Sequence, residues 1–371
     1  EGLADCSMVL ALDPTRWEAL VNLGTCYKAK GDYKQAIHCY KRALLANPKW
    51  HDTYRALANC EFMIEDYASS IKDYTTALKY NPRSQILYIN RGSARGAMGD
   101  YKGLLADTTI AHKLGKPTAV SLKNISIALN KLGQKEDSES KLRLALKDDP
   151  AAVANYISLA TLLADKKPQT KDTLLSAIIE LDKALALSQD NAQALQKKVA
   201  LLLTLNKNEQ ALSVANEYLE SKPTDSAMLA LKVESLLNLH RTEEALKTIE
   251  QIKDTTYDGT AIHTLKGMAL ARSKQGQEAL KEFSSALDIN KTDRVALMER
   301  AKLELKADNA RAALSDLNSA IAASNDDGRL YILRSACYTK LGNKSKAQAD
   351  MQKATNLLPE AVSDTGNILD Y

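Results

Sequence analysis

The stretch Trp17–Pro48, WEALVNLGTCYKAKGDYKQAIHCYKRALLANP, decides the fold. Its first half carries Leu20, Leu23, Gly24 and Tyr27 at i, i+3, i+4 and i+7, which puts them on one face of a helix. Gly31-Asp32 ends that helix, because Gly suits the left-handed turn that follows a helix C-terminus. The second half carries Ala36, Ile37, Tyr40, Ala43 and Leu44, again on one face. Asn47-Pro48 stops it, since the residue before a proline is driven out of the helical region. The segment therefore reads as two amphipathic helices back to back. Gly24, Ala36 and Ala43 are small where two helices must approach closely.

The pattern repeats outward from this stretch. Prolines fall at 14, 48, 82, 117 and 150, spaced by 34, 34, 35 and 33 residues. Regular self-similarity at such a period signals a repeat array rather than one globular core. His51–Pro82 supplies Tyr54, Leu57, Ala58, Tyr67, Tyr74 and Ala77 in matching places. Further units begin near Gln85, Ala119, Val153, Ala192, Ser226, Thr260, Arg294 and Gly328, the last keeping Tyr331, Tyr338, Gly342, Ala347, Ala354 and Pro359. Gly2–Pro14 reads as the second helix of a leading half unit. Pro168 is the one proline out of register, and the five surplus residues between Pro150 and Pro223 fit in the polar stretch 165–172. That stretch reads as a tolerated surface insertion between two helices, with a docking loop as the alternative.

The sequence resembles the tetratricopeptide repeat family, whose unit of 34 residues is a helix–turn–helix. The resemblance implies an all-α, right-handed superhelical solenoid of about ten complete repeats plus an N-terminal half repeat, first helices lining the concave face. It implies a single solenoid over 1–371, with 1–16 the half repeat and 17–152 well-matched repeats. Residues 153–259 are diverged repeats holding the insertion near 165–172, and 260–361 are C-terminal repeats. Residues 362–371, with Ile368 and Leu369, form a tail or a short capping helix.

Composition narrows the function. Apolar runs such as Val199–Leu203 fall far short of the ~18–20 residues that span a bilayer, so no direct membrane insertion is expected. The opening Glu1-Gly2-Leu3 shows no secretory leader and no initiator Met, as expected of a fragment or a processed form. Lys and Arg number 50 against 46 acids, which gives no clustered basic stripe and no expectation of nucleic acid. The five cysteines are odd in number and lack C-x-x-C spacing, so neither disulfides nor zinc is expected, and a cytoplasmic location is favoured. Cys26, Cys60 and Cys337 share one repeat position and read as small core fillers. Phosphate-binding glycine loops are absent, and the histidines form no close ligand pair; His240 reads as a polar turn residue. No catalytic residue, metal site or cofactor is expected, and the chain reads as a non-enzyme.

Two sets of residues stand out. Arg91, Arg300 and Arg334 share a buried-side position, each following a repeat whose second helix bears an acid. This predicts inter-repeat ion pairs Asp73–Arg91, Glu282–Arg300 and Asp316–Arg334, since a planar guanidinium forks a carboxylate. Asn22, Asn90 and Asn124 share a groove-facing position, and an amide both donates to and accepts from a peptide backbone. The family's sugar-transferring enzymes carry ladders of such asparagines. Arg55, Asn59 and Asn90 resemble part of the family's carboxylate clamp for acidic C-termini. The third repeat offers Val120 and Asn124, with Lys123 nearby, where that clamp has bases. Asn22, Thr25, Arg55, Asn59, Asn90, Lys123 and Asn124 are thus the candidate peptide-binding residues.

The expected function is a scaffold or adaptor that binds partner proteins, peptides or helices in its groove, or serves as an assembly subunit. The alternatives are a co-chaperone using the partial clamp, and the substrate-selecting arm of an enzyme whose catalytic domain lies outside this chain.

Overall fold

The computed structural model describes residues 2–252 and 258–357, and every regular element among them is an α-helix. Pro359, the end of the last repeat and the tail 362–371, with Ile368 and Leu369, lie outside the described residues. The chain divides into two compact units, Glu1–Gln189 and Asp190–Tyr371.

The first unit opens with α1 (Gly2–Leu12), the leading half repeat. Five helix pairs follow: α2 (Trp17–Ala29) with α3 (Tyr33–Ala46), α4 (His51–Met63) with α5 (Tyr67–Tyr80), α6 (Gln85–Ala97) with α7 (Tyr101–Leu114), α8 (Ala119–Lys131) with α9 (Lys135–Asp148), and α10 (Val153–Ala164) with α11 (Lys171–Leu187). The second unit holds five more: α12 (Ala192–Thr204) with α13 (Asn208–Ser221), α14 (Ser226–Asn238) with α15 (Thr242–Ile249), α16 (Gly259–Arg272) with α17 (Gly276–Ile289), α18 (Arg294–Lys306) with α19 (Ala310–Ala323), and α20 (Gly328–Lys340) with α21 (Lys344–Leu357).

A left-handed residue closes the first helix of nine of the ten pairs. Its positions are Gly31, Glu65, Gly99, Gly133, Asn206, His240, Lys274, Asp308 and Gly342, all with φ between 55° and 84°. In the first three pairs an aspartate follows at once and caps the second helix. The side chains of Asp32, Asp66 and Asp100 accept from the backbone N–H of Gln35, Ser69 and Gly103. The remaining pair, α10–α11, has the insertion instead. Residues 165–170 form its turn, while Lys171 and Asp172 already belong to α11. The turn gains three residues over its counterparts, α11 gains three and α10 loses one, which accounts for the five surplus residues. The loop is fastened to α9: Lys166 Nζ meets Glu139 Oε2 at 2.6 Å and Lys135 Nζ donates to the Asp165 carbonyl at 2.5 Å.

Within a pair, packing works by matched size across a 16-residue interval. A Cβ at Gly24 would sit 2.8 Å from the ring of Tyr40, and one at Gly267 would sit 2.6 Å from the ring of Phe283. In the pairs where the first residue is Ala the core closes equally well, with Ala58 beside Tyr74 and Ala301 clustered with Leu317. At Gly24 and Gly267 the ring opposite stands too close for an added methyl unless it shifts or shrinks.

The predicted ion pairs form with different partners. Arg91 Nε and Nη2 donate to Asp107 at 2.9 and 2.7 Å, Arg300 to Asp316 at 2.8 and 2.8 Å, and Arg334 to Asp350 at 2.7 and 2.7 Å. Each arginine thus forks the acid in its own repeat's second helix, 16 residues onward, rather than the one 18 residues back. The expected Asp73–Arg91, Glu282–Arg300 and Asp316–Arg334 pairs are replaced accordingly. Toward the preceding repeat, the Nη1 groups reach Thr75, Ser284 and Asn318. These lie two positions beyond Asp73, Glu282 and Asp316. Two residues on a helix rotate a side chain by about 200°, so the acids at the expected positions face away. Glu282 accepts from His263 and Lys266 instead, and Asp73 lies against Glu61.

Candidate functional site

First helices of neighbouring repeats meet one helical turn out of phase, so a residue in one repeat touches the residue 31 positions later in the next. In the first unit this brings amides together. Asn90 Nδ2 on α6 donates to Asn59 Oδ1 on α4 at 3.2 Å, and Asn124 Nδ2 on α8 donates to Ser93 Oγ on α6 at 2.9 Å. Asn59 Oδ1 also accepts the hydroxyl of Tyr74 on α5. Burial pushes that phenol, already protonated at neutral pH, up to about 12, and its O–H fixes which way the Asn59 amide points.

These groups line a cavity of about 450 Å³ across α2, α4 and α6. Asn59, Asn90 and Ser93 supply its polar wall, Phe62, Met63 and Tyr74 its apolar one, and Lys28 and Tyr33 its edge. A space of this size is enough for a few side chains of a bound segment. Met63 is 55% exposed, so the apolar wall is open to solvent.

Of the seven candidate groove residues, the structure brings Asn59 and Asn90 into direct contact and joins Asn124 to the same wall through Ser93. The others stand apart from the cavity. Asn22 is exposed on α2, and Thr25 bonds the Val21 carbonyl and the Tyr40 hydroxyl. Lys123 is half-buried on α8. Arg55 donates through Nε and Nη2 to Asp52 on its own helix at 3.3 and 3.1 Å. Sequence reasoning missed Lys28, Tyr33, Phe62, Met63 and Ser93 as lining residues. The interval of 31 was the signal that would have found Ser93 opposite Asn124.

Among the described residues no cluster of three His, Cys, Asp or Glu is placed to hold a metal ion, and no helix is long and apolar enough to cross a membrane. Cys60 and Cys337 are fully buried, and burial pushes both thiols up to about 11. Such thiols are poor nucleophiles.

Two tetratricopeptide repeat family models match the sequence, over residues 17–49 and 328–360, which are the α2–α3 and α20–α21 pairs and the residues that follow them. The chain carries tetratricopeptide repeats. Solved structures share its all-helical solenoid fold. A tetratricopeptide repeat protein from Parabacteroides merdae is similar at 19% identity, covering 68% of this chain and 99% of that one, with a TM-score of 0.56. The Cut9 assembly with Hcn1 is similar at 14% identity over 98% of this chain and 77% of that one, with a TM-score of 0.53. Yeast Tom70 is 14% identical over 95% of each chain, with a TM-score of 0.49. No curated protein matches the sequence. Tetratricopeptide repeats are typically non-enzymatic scaffolds for protein interaction, and this chain has that architecture in both of its units.

Proposed function

We propose that the first unit of this chain is a peptide-binding module that takes an extended segment of a partner across α2, α4 and α6. The observation that supports this most is the amide pair. Asn59 Oδ1 holds two donors, so the Asn59 amide is fixed before any ligand arrives, and it lines the cavity together with Asn90. Asn59 Oδ1 is filled by these two donors, which leaves Asn59 Nδ2 to donate to a carbonyl and Asn90 Oδ1 to accept from an N–H of an extended backbone, with little ordering cost at the moment of binding. Phe62 and Met63 then accept an apolar side chain of the segment.

A backbone-reading groove is favoured over a terminal-carboxylate clamp. Arg55, the first base of the clamp pattern, already spends its charge on Asp52. The partner is a protein, and the adaptor or assembly role follows from many such contacts along a repeat surface.

Affinity capture with mass spectrometry, comparing wild type with Asn90→Ala and with Asn59→Ala/Asn90→Ala, tests the reading. Asn90→Ala leaves the Tyr74–Asn59 bond in place and serves as the folded control. Loss of a defined set of partners in both variants is expected. An unchanged partner list in both, with intact helicity, removes the groove assignment.

A further inference from the structure

The second unit contains a cavity at the same place in the repeat frame. Its volume is about 610 Å³, and its lining includes Thr242, Met268, Ala271, Arg272, Glu299 and Lys302. Each of these stands six repeats and the five-residue insertion after a lining residue of the first cavity, namely Tyr33, Asn59, Phe62, Met63, Asn90 and Ser93. The 31-residue rule explains why: the same helix-to-helix phase opens the same hollow wherever the facing side chains leave room.

The chemistry of the wall differs. Where the first cavity has amides and Lys28, the second has Arg272, Lys274, Lys302, Lys306 and His240, with Glu299 as its one acid. Glu299 Oε1 lies 2.6 Å from Lys302 Nζ, which neutralises one cation. Arg272 spends a donor on the Leu237 carbonyl, which is uncharged, so its charge is kept. Lys274 and Lys306 are both exposed, and neither has a carboxylate within ion-pair distance among the described residues. Glu299 also acts on Arg272, so four cations, Arg272, Lys274, Lys302 and Lys306, face a single acid and the hollow keeps a net positive charge. Met268, Ala271 and Leu303 add an apolar portion.

We infer that this hollow is a second binding site, selective for an acidic peptide segment that carries an aliphatic side chain among its carboxylates. Uncompensated cations beside a confined space concentrate anions and suppress cationic competitors. The apolar wall and the short extent of the hollow favour a peptide over a nucleic acid strand, which would need a long basic stripe and stacking rings. The site is independent of the amide groove in the first unit, and the two give the chain different peptide preferences at equivalent positions.

The test is fluorescence anisotropy on the whole chain with a short fluorescein-labelled peptide rich in Glu with one central Leu. Wild type binds saturably, more weakly as salt rises. Lys274→Glu/Lys306→Glu lowers affinity by about tenfold or more, and Lys274→Gln/Lys306→Gln lowers it less. Lys281→Glu/Lys291→Glu, exposed positions outside the hollow, and Asn59→Ala/Asn90→Ala leave it unchanged. The inference is overturned by absence of saturable binding, by equal losses in the hollow and control variants, or by equal affinity for a single-stranded oligonucleotide of matched charge. A peptide in which Lys replaces Glu that binds as well as the acidic one also overturns it.

Discussion

Arg300 forks Asp316 through Nε and Nη2 at 2.8 Å each, and its third nitrogen reaches Ser284 in the preceding repeat at 3.1 Å. Arg91 and Arg334 repeat the geometry with Asp107 and Asp350. One side chain thus ties its own helix pair together and fastens it to the previous pair. Nearest-neighbour coupling of this kind is what makes a repeat array unfold cooperatively.

The first prediction concerns that fork. Arg300→Ala and Asp316→Ala should each destabilise the second unit by roughly 2–3 kcal/mol, because each leaves a half-buried charge unpaired. The double substitution should cost about 1–2 kcal/mol less than the sum. Glu282→Ala combined with Arg300→Ala should be additive, since Glu282 bonds His263 and Lys266 instead. Urea denaturation of wild type, the three single variants and the two double variants measures these terms, and a strong coupling between Glu282 and Arg300 would contradict the observed pairing.

A second prediction follows from the contact of Gly267 with Phe283. Gly267→Ala alone forces a methyl to within 2.6 Å of the ring and should destabilise by about 1–3 kcal/mol, despite the better helix propensity of Ala. Gly267→Ala/Phe283→Leu should regain most of that loss, because the next repeat already packs Ala301 with Leu317. Thermal unfolding of the three variants decides the matter. A neutral single substitution would show that size matching is not the constraint.

The left-handed turn positions give a third prediction of opposite signs. Glu65 has φ of 64° and Gly99 has φ of 83°. An L side chain in this region costs about 1–2 kcal/mol, partly offset by the extra unfolded-state entropy of Gly. Glu65→Gly should therefore stabilise by about 0.5 kcal/mol, and Gly99→Ala should destabilise by about 1 kcal/mol. Nothing lies within 4 Å of a Cβ at Gly99, so the second effect is backbone strain alone. Both are read from denaturant midpoints.

The last prediction is a pH dependence. Glu61 stands where its repeat's counterparts have Tyr27 or Tyr338, and it is 2% exposed. Burial, and then Asp73 beside it, raise its carboxyl from the ordinary value to about 7, while Lys41 Nζ at 3.3 Å works against the rise. Asp73 is raised as well, by burial first. The folded state therefore holds a proton that the unfolded chain releases from about pH 4.5 upward. The favourable contribution is full below that pH and is lost as pH rises toward 7. Glu61→Gln should be more stable than wild type at pH 8, by about 1–3 kcal/mol, with the difference vanishing near pH 5. A pH series of chemical denaturation tests it, and a gap that widens toward acid would reverse the assignment.

Much of the architecture was written in local order. Gly31-Asp32 and Asn47-Pro48 mark helix ends by backbone chemistry that needs no distant partner, and the apolar spacing between them sets which face is buried. The period carries these marks along the chain, so helix boundaries, the half repeat and the insertion are all readable. Even turns without glycine stay on the count, as His240 and Lys274 show.

What the tertiary structure alone decided is which faces meet. The repeat frame singles out Asn90 and the resemblance to the clamp singles out Asn59, but their contact depends on adjacent first helices being out of phase by one turn. The same phase, invisible in a list of residues, makes Ser93 a cavity wall and opens the basic hollow of the second unit. The arginine forks make the point in reverse. The right residues were apparent, yet their partners were not, because a shift of two positions turns a helical side chain by more than half a revolution. Local sequence fixes where helices begin and end, whereas the phase between packed helices is set by how their side chains interlock.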